Sequence, residues 1–141
     1  SEISDELDLR LLAGRSEHMA GSDGIYVGSS PHPRGWGAFA RFLGRHVREL
    51  GDWTWGEAAE HLSSRACSRF GLVDRGVLRT NAFADIAIVD PRAVTDLAAY
   101  DSPCVTARGV DDVIVAGEIV LAGGVLTGAA PGRGLRSRAA S

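Results

Sequence analysis

Apolar residues recur at two spacings along the chain, helical before Leu72 and strand-like after it. Leu7 and Leu11 share one face of a helix predicted over residues 4–14. Ser4 is its cap, Asp5 and Glu6 stand in its first turn and Gly14 ends it. The run His18-Met19-Ala20-Gly21-Ser22 reads as one short buried strand that stops at Asp23-Gly24. Residues 25–37 are rich in Gly, Ser and Pro and read as a loop. Phe39, Phe42, Leu43, Val47 and Leu50 then return at helical spacing, with Arg41, Arg45 and Arg48 turned outward, until Gly51 and Asp52. Thr54-x-x-Glu57 has the form of a capping box and opens a third helix through Ala58, Ala59 and Leu62. A last helical turn around residues 66–70 stops at Gly71.

Beyond Leu72 the predicted elements are strands. The apolar run 84–89 is broken by Asp90-Pro91. Val113-Ile114-Val115 and Glu118-Ile119-Val120-Leu121 predict a hairpin across Ala116-Gly117, and Gly123-Gly124 turns the chain into Val125-Leu126-Thr127. The polar tail 131–141 is expected to fray. The first half therefore supplies a single buried strand between helices, and such strands belong to larger parallel sheets. Helix, short strand, acidic residue, long loop, helix is one unit of an α/β barrel. Barrel chemistry sits at the C-terminal ends of the strands, where this register puts Asp23.

Composition narrows the function classes. The chain has 141 residues, 45% hydrophobic and 23% charged, with a net charge of −3. These are globular proportions, without the basic face that binding to nucleic acid needs or a run long enough to span a membrane. The acidic opening Ser1-Glu2-Ile3-Ser4-Asp5-Glu6 does not read as a secretory leader. All 15 basic residues are Arg, which excludes a lysine of a phosphate loop, a Schiff base or a carboxylated-lysine metal bridge. Cys67 and Cys104 stand far apart, which disfavours a disulfide framework and fits a reducing cytoplasm.

Asp23, between Gly21-Ser22 and Gly24, is the leading candidate for chemistry, because flanking glycines let backbone approach a ligand. The same dipeptide also makes ordinary turns. His32 and Arg34 lie in Pro31-His32-Pro33-Arg34, where two prolines stiffen the loop and the Arg fork suits a carboxylate. Solvated charges on an exposed loop are the alternative. His18, His46 and His61 read as structural, and no H-x-H or H-E-x-x-H spacing completes a metal site. Gly35-x-Gly37-x-x-Ala40 imitates a dinucleotide fingerprint, but it does not directly follow a strand.

Several of these pieces form a familiar series. Gly21-Ser22-Asp23-Gly24, Pro31-His32-Pro33-Arg34 and Leu43-Gly44-Arg45 are followed by Ser64–Leu72 and Asp74-Arg75-Gly76-Val77-Leu78. Ala84-Asp85-Ile86-Ala87-Ile88-Val89-Asp90-Pro91, Val113-Ile114-Val115-Ala116-Gly117, Leu126-Thr127-Gly128 and Pro131-Gly132-Arg133 complete it. The series resembles the D-aminoacylases, the N-acyl-D-amino-acid deacylases of the amidohydrolase superfamily, over nearly the whole chain. Family turns often read Asn-Gly where this chain has Ala116-Gly117, so a primed turn there would strain Ala116.

The resemblance implies an α/β fold: a metal-dependent (β/α)8 TIM barrel joined to a small β-sandwich domain, of which this chain is the C-terminal part. Residues 1–71 are then the last helix–strand–helix unit of the barrel, and residues 72–141 the trailing strands of the β domain. A complete barrel takes about 250 residues, so the barrel here is incomplete. The implied activity is hydrolysis of the amide bond of N-acyl-D-amino acids. Asp23 would move the proton between water and leaving amine and touch the ion, while Arg34 and His32 would bind substrate. Zinc is implied for the complete enzyme. Its ligands, histidines and a cysteine, would lie in the N-terminal barrel portion, the implied partner, so the chain alone would hold no cofactor and be inactive. The alternatives are an amidohydrolase of a cyclic amide or dipeptide, and a non-catalytic partner-binding module.

Overall fold

The computed structural model describes residues 6–28 and 31–136. Four helices come first: α1 (Glu6–Ala13), α2 (Arg34–Arg41), α3 (Trp55–Ala59) and α4 (Arg65–Arg69). α2 runs on through a wider turn, Phe42–Glu49, in which Leu50 N–H reaches back five residues to Arg45 O at 2.8 Å. A similar wide segment, Glu60–Ser64, joins α3 to α4. Four strands follow, β1 (Ile86–Val89), β2 (Val110–Val115), β3 (Glu118–Ala122) and β4 (Val125–Leu126), in one antiparallel sheet of order 1-2-3-4.

The helical core gathers where the predicted apolar faces meet. Ala13, Val47, Trp53 and Ala58 are buried, and Phe42, Leu43 and Leu62 pack against them. Trp53 ties the group together, its indole N–H donating to Ala13 O at 3.0 Å. The capping box is complete: Thr54 Oγ1 accepts from Glu57 N, and Glu57 Oε2 accepts from Thr54 N at 2.7 Å. Ser4 lies outside the described residues. Leu7 and Leu11 are exposed, so Ala13 at the C-terminal end of α1 supplies its buried contact.

Two first-half expectations need correction. Residues 18–22 are half-buried or exposed rather than buried, and no strand pairs with them among the described residues. A segment becomes a strand only through a ladder partner, and here Ala20 N–H bonds instead to His61 O on the helix, at 3.0 Å. The second helix also starts earlier than predicted, at Arg34. Pro33 is its N-cap, at a helix start where a residue without an N–H costs nothing.

The sheet follows the sequence closely. Ala116 (φ +51°) and Gly117 (φ +84°) both sit left-handed at the hairpin tip, as a primed turn requires. Two hydrogen bonds hold Ala116 in this strained form from outside the hairpin: Asp85 Oδ1 accepts its N–H at 2.8 Å, and Ala84 O accepts that of Gly117. Asp112 closes the next turn by accepting from Gly123 N at 2.9 Å.

Helices and sheet meet at Val94, which is fully buried. The turn after β1 is closed by Asp90, whose carbonyl accepts from Val94 N at 2.9 Å. Arg48 then donates to Val94 O at 2.6 Å. Gly44 and Gly109 leave room on either side. A Cβ on Gly44 would come within 2.8 Å of Val94 O, and one on Gly109 (φ +76°) within 2.4 Å of Val94 N. Gly109→Ala therefore meets both a backbone clash and a left-handed φ. It should destabilise the chain by about 2–4 kcal/mol in denaturant titrations. Gly132→Ala, which meets open space, should change stability by about 0.5 kcal/mol or less. Equal effects would remove Val94 from its role as the junction.

Candidate active site

Asp23 follows residues 18–22 and is held at φ +45°, a left-handed conformation that an Asp tolerates better than most residues. Ser22 Oγ accepts from Gly24 N at 3.3 Å just beyond it. Tyr26 then fastens the segment to the start of α2. Its hydroxyl donates to Gly35 O at 3.2 Å, and its ring meets Trp36 edge-on at 5.2 Å. This places Asp23 Oδ2 2.8 Å from Arg34 Nη2. The Asp23 side chain is 83% exposed and that of Arg34 37%, so the pair contributes about 0–1 kcal/mol and can open readily. Arg34 Nε is buried without an acceptor, which leaves one donor of the guanidinium fork unmatched.

His32 supports the same corner. Its Nδ1 accepts from the backbone N–H of Arg34 at 3.1 Å, and its Nε2 lies 3.0 Å from the Tyr100 hydroxyl. The three residues singled out in the sequence thus form one connected corner: Asp23 and Arg34 in contact, and His32 touching Arg34. Tyr26 and Tyr100 were missed. Each is an isolated aromatic in a polar or short apolar stretch, with no spacing that marks it. The glycines of the false dinucleotide fingerprint have a packing role, since a Cβ on Gly37 would come within 2.9 Å of Asp96 Cβ.

The other histidines line the core, as expected from their positions. His61 is buried and stacks on Trp53 at 4.4 Å, and His18 and His46 meet the same indole. Among the described residues no three His, Cys, Asp or Glu side chains converge as a metal site. No helix is long and apolar enough to cross a membrane among these residues.

No family model matches the chain. It is 38% identical over 138 residues to the D-aminoacylase of Alcaligenes xylosoxydans xylosoxydans, covering 98% of this chain and 28% of that protein. The chain is homologous to part of the D-aminoacylases. The N-acyl-D-glutamate deacylase of the same organism is 39% identical over 113 residues, which is 80% of this chain and 23% of the relative. The chain spans about a quarter of the length of the curated relatives it matches. Among solved structures, a D-aminoacylase mutant in complex with CuCl2 superposes with a TM-score of 0.90 at 34% identity, over 94% of this chain and 28% of that one. The N-acyl-D-glutamate deacylase from Bordetella bronchiseptica, complexed with zinc and a phosphonate inhibitor, gives 0.80 at 38% identity, over 82% and 24%. The α/β arrangement of helices and four-stranded sheet is therefore that of a D-aminoacylase segment.

Electrostatics in the histidine nest give a pH signature. Burial first, then the positive charge of His61, Arg65 and His46, push His18 below its ordinary value of 6.5. Below about pH 6.5 the unfolded chain takes up this proton before the folded one, so stability present above that pH is lost as it falls. Burial raises Asp52, but hydrogen bonds and charge from Arg10 and His46 outweigh it and hold the carboxyl below 3.8, so its contribution persists to lower pH. The melting temperature should fall between about pH 7 and about pH 5, and less steeply in His18→Gln. An equal fall in both proteins would assign the acid sensitivity elsewhere.

Proposed function

We propose that this chain is the C-terminal portion of a zinc-dependent amidohydrolase that cleaves the amide bond of N-acyl-D-amino acids. On this reading residues 1–71 end its barrel and residues 72–141 supply strands of its small β domain. The observation that carries the proposal is the Asp23–Arg34 corner: a solvent-open carboxylate 2.8 Å from a guanidinium with an unmatched donor. Among the described residues no cluster of side chains forms a metal site by itself. Asp23 would lie against the ion without being needed to hold it, and the ligands belong to the N-terminal barrel portion. When bound, zinc supplies Lewis acidity to the scissile carbonyl and the attacking water.

The roles of this chain's side chains follow from their chemistry. Arg34 binds the substrate carboxylate through its planar fork. An arriving carboxylate gives the orphaned Nε an acceptor and draws Arg34 away from Asp23. Asp23 Oδ then accepts the proton of the attacking water and returns it to the leaving nitrogen, which departs as an amine rather than an amide anion. A free carboxylate beside the scissile bond is what Arg34 needs, which favours acyl amino acids over cyclic amides. The chain without its barrel is expected to be inactive.

Two substitutions in the complete enzyme test these roles. Asp23→Asn is nearly isosteric and cannot carry the proton, so kcat should fall about 10²–10⁴-fold with KM and zinc content little changed. A fully metallated variant within about tenfold of the parent kcat would return Asp23 to an ordinary turn residue. Arg34→Lys keeps the charge and loses the fork. It should raise KM for free-acid substrates about tenfold while kcat holds. An unchanged KM would remove Arg34 from the site.

A further inference from the structure

We propose that Tyr100 is a positioning residue of this site: it fixes the His32 ring, and through it the start of α2 from which Arg34 reaches the substrate. The inference rests on the deacylase reading for what Arg34 binds, while the contacts themselves stand independently of it.

The argument begins with the helix start. The first N–H groups of a helix have no partner inside it, and Pro33 at the N-cap has no side chain to offer one. His32 fills that need from one residue earlier, where Nδ1 accepts from Arg34 N–H. A neutral imidazole has one bare nitrogen and one N–H. With Nδ1 bare, the proton is on Nε2, and it donates to the Tyr100 oxygen at 3.0 Å. The two rings also meet edge-on, 5.1 Å apart at 75°. Both nitrogens of His32 are thus engaged within the chain, which makes the ring a strut between Tyr100 and Arg34.

Tyr100 comes from the other half of the sequence, 68 positions from His32. It sits at the tip of a tight turn closed by reciprocal hydrogen bonds between Ala99 and Ser102. That turn projects from a connection pinned nearby by the Thr95–Arg108 bridge and by Val94. The sheet half therefore reaches His32 through the Tyr100 hydroxyl, on a side chain that is otherwise largely exposed. Without it, the His32 N–H turns to water, the ring is free to rotate off Arg34 N–H, and the base of the Arg34 side chain loosens.

Tyr100→Phe removes the hydroxyl and keeps the ring. In nitrogen-15 NMR of the complete enzyme, the parent should show the Nε2–H tautomer of His32 with slow exchange of that proton, and Tyr100→Phe should exchange it rapidly. The ratio of kcat/KM for an N-acetyl-D-amino acid to that for its carboxamide should fall about 3–10-fold, through KM for the free acid and with kcat held. An unchanged His32 signal overturns the strut. A changed signal with an unchanged ratio, or with an equal loss on acid and amide, overturns the positioning role in favour of a purely structural one. A parent enzyme that hydrolyses neither substrate overturns the deacylase reading instead, and the His32 signal still decides the strut.

Discussion

The fold turns on the close approach of Val94 to two glycines. A backbone carbonyl can rest on a helix only where no side chain intervenes, and Gly44 provides that gap while Arg48 supplies the donor for Val94 O. On the opposite side Gly109 lets the strand region reach the Val94 amide, in a conformation that other residues adopt at a cost. Three backbone segments are thus stacked at one point. The helices on one side present Arg34, and the connection on the other presents Tyr100. Neither half alone would place these two side chains on a common corner.

That corner is electrostatically economical. Asp23 and Arg34 neutralise one another in an exposed pair that water and salt already weaken, so separating them demands little. The rigid part lies underneath, in Tyr26 on Gly35 and His32 on Arg34, where the bonds are to backbone. Fixed backbone with loosely paired charged tips suits a site whose ionic partners must change during use.

Much of this was legible in the residues because it is local. The capping box, the β2–β3 hairpin and the Gly123-Gly124 turn each depend on a few neighbouring residues, and each formed where the sequence placed it. Asp23, His32 and Arg34 were visible as polar residues in stiff, glycine-flanked loops. Residues 18–22 form no ladder here, because a strand is defined by its neighbours and the described residues supply none; Ala20 N–H turns to His61 O instead. The helix start at Arg34 was hidden by Gly35 and Gly37, poor helix formers retained for packing. Tyr100 was out of reach for a different reason. Its partner is fixed only after two distant segments have met, and no spacing along the chain encodes that.

The bond from Asp85 to Ala116 bears on the order in which the sheet assembles. The β2–β3 hairpin closes over a two-residue turn, an event on the scale of about microseconds. β1 is joined to it by the long 90–109 connection, whose ends must be brought together against chain entropy before any pairing is gained. The hairpin must therefore wait, with Ala116 in its unfavourable conformation, for a late-arriving carboxylate. An early hairpin of this kind is reversible, and it becomes permanent only when β1 docks. Assembly of the sheet is in this way made contingent on the same connection that carries Tyr100.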